Sequence, residues 1–145
     1  MKLSMRSDYG ARAVIELARR FGNGPVQSAE IAACESIPEA YLEQLLTALR
    51  KAGLIRSSRG PRGGHELART PASITLGEVV NALEGSFLSL DCLGAANGSP
   101  ASTAALTREV WQEVSDSVER ILGSTTIEAL LERHRARAER AMYHI

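Results

Sequence analysis

Residues 49–69, LRKAGLIRSSRGPRGGHELAR, hold six cations (Arg50, Lys51, Arg56, Arg59, Arg62 and Arg69) against a single carboxylate, Glu66. That is a third of the Lys and Arg of a chain whose formal net charge is zero. In the middle stands Gly60-Pro61-Arg62-Gly63-Gly64. Glycine lets a backbone turn tightly and approach another surface closely. The planar guanidinium fork of arginine suits phosphate oxygens. The chemistry on offer is recognition of a polyanion, and a slim basic ribbon with such a tip fits a nucleic-acid groove, where Arg is favoured if the groove is narrow. The alternative is a solvated hairpin with incidental arginines.

Nothing else in the sequence assembles a reactive set. There is no nucleophile motif and no pair of carboxylates placed for acid–base work. The glycines at 60–64 follow a short strand and do not open a helix, so they fail as a dinucleotide fingerprint. The two cysteines, Cys34 and Cys92, are too far apart for a close-spaced metal motif and too few for a disulfide framework. The expectation is a protein that binds and does not catalyse.

The elements that must carry this segment can be read from periodicity. Residues 8–21, DYGARAVIELARRF, place Ala11, Val14, Ile15, Leu17, Ala18 and Phe21 at helical spacing, with Asp8 as the expected start. Gly22-Asn23-Gly24-Pro25 ends that helix, and Val26-Gln27 reads as a short extended piece. Ser28 is the expected N-cap of AEIAACE, on which Cys34 reads as a small core residue. Pro38 and Glu39 open a longer helix over 39–51 whose apolar face is Tyr41, Leu42, Leu45, Leu46 and Leu49, and Gly53 closes it. Helix, short turn and helix make helix-turn-helix spacing. Residues 54–56 and 65–67 pair as two strands around the Gly/Pro tip. Thr75 and Glu78 form a capping box for a further helix that ends at Gly85.

Residues 86–103 are rich in Gly, Ala and Ser and read as a loop. From Ala104 to Leu122, Leu106, Val110, Val114 and Val118 recur every four residues beside Trp111, Ile121 and Leu122, and Gly123 is expected to break the run. A long amphipathic helix of this kind must bury its stripe, either against a second copy, which is the expectation, or back on its own domain. The fold class that follows is mainly α with a small β-wing: a winged helix-turn-helix domain (1–85), a loop (86–103), then a dimerisation helix and a C-terminal helix (104–145). Charge divides similarly. Residues 1–69 carry 11 Lys+Arg and 7 Asp+Glu, a balance of +4, and residues 70–145 carry 6 Arg and 10 Asp+Glu, a balance of −4. Only the front half is suited to a polyanion; the alternative, a winged-helix protein-interaction module without DNA binding, predicts a neutral helix and wing, against which the six cations of 49–69 argue. No apolar run approaches a membrane span and the first residues lack the pattern of a secretory signal, so a cytoplasmic setting is expected.

The stretch YLEQLLTALRKAGLIRSSRGPRGGHELAR, the opening MKLSMRSDYGARAV and the later STTIEALL together resemble the Rrf-type winged-helix transcription regulators, the group of IscR, NsrR and CymR. The likeness covers nearly the whole chain. It implies a homodimer bound to a palindromic double-stranded operator near promoters, most often as a repressor, with a small-molecule or protein effector. It places helix 39–51 in the major groove and the wing in the adjacent minor groove. Glu43 and Gln44 would then read base edges, which suits their chemistry, since glutamate accepts from cytosine N4 and glutamine pairs with adenine. Tyr41 and Arg50 would contact or support the backbone, and Arg59 would enter the minor groove. Tyr41 also sits on the apolar face, so a core role stands beside that one. His65 stands where the family has an aromatic Tyr and Arg62 where it has a glycine; both, with Arg56, are candidates for phosphate contact.

The resemblance also raises an iron–sulfur cluster, which many members hold on three cysteines in the loop before the dimer helix. Cys92 matches the first of these. Ala105 stands where the last would be, Ser99 or Gly98 near the middle one, and Arg108 where some members have a histidine. Clusters need thiolate or histidine ligands, and alanine has no donor atom. The expectation is therefore no family-style cluster and no cofactor. A bridging cluster on two Cys92 residues, or on Cys92 and Asp8 across the dimer, is the alternative. Cys92 otherwise reads as a redox-sensing thiol or as a residue without a role, and Asp8 as a helix cap.

Overall fold

The computed structural model describes residues 2–85, 93 and 98–144. Among these described residues, six α-helices and two strands follow in chain order: α1 Met5–Arg19, α2 Ser28–Glu35, α3 Glu39–Lys51, β1 Ile55–Ser58, β2 Gly64–Leu67, α4 Leu76–Glu84, α5 Thr103–Ser124 and α6 Ile127–Met142. A single 3₁₀ turn, Pro71–Ser73, separates β2 from α4.

One core joins most of these elements. Val14 and Leu17 of α1, Ile31 of α2, and Leu42, Leu45, Leu46 and Leu49 of α3 are buried together with Ile55, Leu67, Ile74, Val79 and Leu83. The α3 positions repeat at three and four residues, which turns one leucine stripe inward and leaves Glu39, Glu43, Gln44 and Arg50 outside. α4 begins at the expected capping box: Glu78 N–H donates to Thr75 Oγ1 at 3.2 Å and Thr75 N–H donates to Glu78 Oε2 at 2.9 Å. Arg69 grips the same Glu78 carboxylate at 2.9 Å and holds its pKa below the usual carboxylate range, with the Thr75 contacts adding to the effect.

Some boundaries differ from the sequence expectation, for local reasons. Asp8 is not the start of α1. Ser4 is the N-cap, its Oγ accepting from Arg6 N–H, and Asp8 lies in the first turn with its carboxylate 3.4 Å from Arg12. Ser28 is the first residue of α2 and Gln27 its cap, because the Ser28 hydroxyl is engaged elsewhere. Cys34 is exposed, since the short α2 turns only Ile31 and Ala32 inward; its Sγ stands 3.5 Å from Arg20 Nη2. Phe21 lies beyond the end of α1 and is exposed. Gly123 does not break α5, which runs on through Ser124; the chain turns at Thr125, and Thr126 caps α6 by accepting from Ala129 N–H.

That turn is tied down. Leu76 N–H donates to Thr125 O at 2.8 Å and Ile127 N–H to Ile74 O at 2.9 Å. They direct α6 back against α1, where Ile127 and Leu131 enter the core. Residues 127–131 follow the long helix in sequence yet complete the core of the first 85 residues. α5 itself packs against α4, with Leu122 over Gly77. Cys92 lies outside the described residues.

Candidate nucleic-acid interface

The wing is an antiparallel pair with register Ile55↔Leu67, Arg56↔Glu66, Ser57↔His65 and Ser58↔Gly64. Ile55 and Leu67 plug its base into the core while the tip projects. The tip closes with Gly63 N–H donating to Gly60 O at 2.9 Å. Gly63 is required by space: a Cβ there would stand 2.7 Å from the Arg59 carbonyl carbon. Behind the ribbon, Val26 and His65 exchange both backbone hydrogen bonds at 2.8 Å, so the extended piece expected at Val26-Gln27 adds a third edge to the wing. Gly64 allows this approach, since a Cβ would meet Val26 O at 2.5 Å.

His65 holds the ribbon to the helix-turn-helix. Its Nδ1 is 2.7 Å from Ser57 Oγ and its Nε2 3.0 Å from Ser28 Oγ. Burial pushes its pKa below the usual value; Glu43 opposes that shift and Arg50 adds to it. Glu43 and His65 line the same groove. Between α3 and the wing runs a groove of about 270 Å³ lined by Gln27, Ser28, Glu39, Glu43, Gly64 and His65 among others. Gln27 Nε2 also donates to Pro61 O at 3.3 Å.

The residues singled out in the sequence separate into three groups. Glu43, Gln44 and Arg50 are exposed on α3, and Arg59 and Arg62 are exposed at the tip. Tyr41 is half-buried and meets Tyr9 edge-on, ring centroids 5.9 Å apart, which favours support over direct contact. Arg56 is paired across the ribbon with Glu66 at 3.2 Å, and both nitrogens of His65 are occupied by serine hydroxyls. Arg69 is at the far end, on Glu78. Of the six cations in residues 49–69, Arg50, Lys51, Arg59 and Arg62 have no carboxylate within 4 Å among the described residues. Sequence reasoning missed Gln27 and Ser28 as part of this groove. The signal was present, because a serine one residue after an extended pair stands at a helix N-terminus, but its partner His65 is 37 positions away.

The Rrf2 family model, described as iron-dependent transcriptional regulator, matches residues 3–133. The chain belongs to the Rrf2 family. It is similar to the HTH-type transcriptional regulator CymR of Bacillus subtilis (strain 168), 38% identical over the full length of both chains. It is 35% identical to the HTH-type transcriptional regulator IscR of Aliivibrio salmonicida (strain LFI1238), over 90% of this chain and 77% of that one. The solved structure of CymR (YrzC), the global cysteine regulator of B. subtilis, superposes with a TM-score of 0.80 at 38% identity, covering 92% of this chain and 98% of that chain. The Rrf2 chain described here is thus a winged-helix protein of a family of transcriptional regulators. Among its described residues no helix is long and apolar enough to cross a membrane.

The donor set does not fit a three-cysteine iron–sulfur cluster. Ala105 lies in the first turn of α5, Gly98 and Ser99 carry no thiol, and Arg108 is a cation. The second thiol of the chain, Cys34, is on α2 beside Arg20.

Proposed function

We propose that this Rrf2-family chain is a homodimeric, sequence-specific repressor that acts in the cytoplasm on a palindromic double-stranded operator. The observation that carries the reading is the groove between α3 and the wing, with the base-reading candidate Glu43 on one wall and the unpaired Arg59 and Arg62 at the end of the other. α3 would lie in the major groove with Glu43 and Gln44 at base edges, and Arg59 would reach the adjacent minor groove. Arg50, Lys51 and Arg62 would neutralise phosphates. His65 and Tyr41 position these elements, the one tying wing to α2 and the other bracing α3 on α1.

Pairing is supported by α5. Leu106 (58% exposed), Val110, Trp111, Val114 and Ile121 (59%) form an apolar stripe that the protomer leaves uncovered. Burying the exposed half of such side chains contributes about 1 kcal/mol each, or on the order of 10 kcal/mol for both copies. That is comparable to the roughly 4–15 kcal/mol cost of association. A carboxylate in the middle of the stripe should therefore tip the balance. Light scattering is expected to give a dimer for the unaltered protein and a monomer for Val114→Glu, with operator affinity falling in step. A Val114→Glu protein that stays dimeric would place the interface elsewhere. Genomic mapping of binding sites, followed by anisotropy titration of the mapped duplex, tests the reading as a whole; indifference to every mapped duplex would end it.

A further inference from the structure

A second concentration of positive charge lies away from the wing. α6 packs along α1, and between them a cleft of about 340 Å³ is lined by Arg12, Arg19, Glu35, Arg133, His134 and Arg137, with Ile15 and Leu130 as its apolar floor. Its lining holds four guanidinium groups and one carboxylate, and Asp8 and Glu16 reach two of the arginines from outside it. Arg12 is held in place: it donates to the Glu35 backbone carbonyl, lies 3.5 Å from the Glu35 carboxylate and 3.4 Å from Asp8, and stacks over Tyr9 with its Cζ 5.3 Å from the ring centroid. Arg19 is anchored on the buried Glu16 at 2.9 Å while half its side chain stays exposed.

Arg133 and Arg137 are different. They stand one turn apart on the same face of α6, a spacing at which like charges weaken a helix. Among the described residues neither has a carboxylate within 4 Å. The carboxylates of α6, Glu128, Glu132 and Glu139, stand in other positions. A pocket of this size is in the range of small-molecule sites, and several convergent arginines are the groups that recognise carboxylate and phosphate in paired fashion. It lies at the Glu35 end of α2, about 10 Å along that helix from Gln27 and Ser28 at the wing groove.

We propose that the α1–α6 cleft binds a small anion carrying at least two carboxylate or phosphate groups, with Arg133 and Arg137 as its principal ligands and Arg12 as a pre-set third. The aliphatic floor and concave shape fit a small molecule. The proposal rests on the cleft alone and does not depend on the DNA reading.

Calorimetric titration of the full-length protein with citrate and, separately, with inorganic pyrophosphate tests it, using sodium chloride of matched ionic strength as the blank. Saturable binding of one anion per chain is expected for at least one of the two, with a dissociation constant below about 1 mM in roughly 50 mM salt. Arg133→Gln/Arg137→Gln should weaken it at least about tenfold, and Arg59→Gln/Arg62→Gln should leave it unchanged. Both arginines of the cleft pair are on a solvent-facing helix side, and Arg137→Gln alone serves should the double variant unfold. Three results would overturn the site: no saturable binding of either anion, equal affinity in the cleft variants, or a loss of duplex affinity in the cleft variants as large as in the wing variant. The last would make the cleft part of a DNA track.

Discussion

Gly64→Ala separates the wing's anchorage from its charge. A Cβ on residue 64 would stand 2.5 Å from Val26 O and 2.6 Å from Val26 C. Both atoms are backbone, so no rotamer change relieves the overlap. β2 must move away from Val26, and the reciprocal Val26–His65 pair, two bonds of 2.8 Å, is lost. A net hydrogen bond contributes about 1 kcal/mol, and the backbone conformation at φ 151° adds about 1–2 kcal/mol once a side chain is present. The total is about 3–4 kcal/mol. For a chain of this length, about 3 °C per kcal/mol gives a fall in Tm of roughly 10 °C. Gly60→Ala is the comparison. Residue 60 also has positive φ, 100°, but an added Cβ meets nothing within 4 Å, so only the backbone cost of about 1–2 kcal/mol applies. Thermal melting by circular dichroism reads both, and duplex titration follows the consequence for binding. Equal Tm values for the two variants would show that the approach to Val26 carries no weight and would refute the reasoning.

Salt and charge give a second measurement. With four unpaired cations per protomer in residues 49–69, the dimer's log K against log salt should slope no more steeply than roughly −7, and Arg59→Ala should weaken operator binding while flattening the slope by about 2; an unchanged slope and affinity would remove the wing from the contact. The third concerns pH. His65 has a pKa below its ordinary value in the folded protein, so the unfolded chain binds the proton more readily; stability contributed by the neutral ring is complete above about pH 6.5 and is lost as pH falls through the window below it. Tm is expected to drop between about pH 7.5 and about pH 5.5, and His65→Gln to remove that part of the pH dependence. Finally, protein purified without oxygen should be colourless; a visible absorbance band tracking stoichiometric iron and sulfide would overturn the reading of the donor set at 98–108.

Much of this architecture was legible because it is local. The leucines of α3 recur at three and four residues, the Thr75–Glu78 box spans one turn, and the glycine–proline tip declares a hairpin. The range 39–51 for the recognition helix is recovered without shift. What was hidden depends on pairing between distant positions. Ser28 is a reasonable cap by type, but its hydroxyl serves His65, and Gln27 takes the boundary. Asp8 has the right chemistry to start a helix; Ser4 has it too and lies one turn earlier, where its Oγ meets Arg6 N–H. Cys34 looked like core because it follows Ile31 by three residues, yet an eight-residue helix has room to bury only one narrow face. Gly123 looked like a stop, but nothing crowds it or demands positive φ, so α5 simply continues through it.

Charge is where sequence and space part most clearly. Read along the chain, the front half is basic and the back half acidic. In space, two of the six cations around the wing are withdrawn into pairs with Glu66 and Glu78, and the other four have no carboxylate within 4 Å among the described residues. Conversely, the arginines of α6 belong to the acidic half, yet the hydrogen bonds at Ile74, Leu76, Thr125 and Ile127 turn that helix back onto α1 and set them beside Arg12 and Arg19. A net charge per segment averages over both effects. The fold therefore sorts the cations into two separate surfaces, one at the wing and one in the α1–α6 cleft.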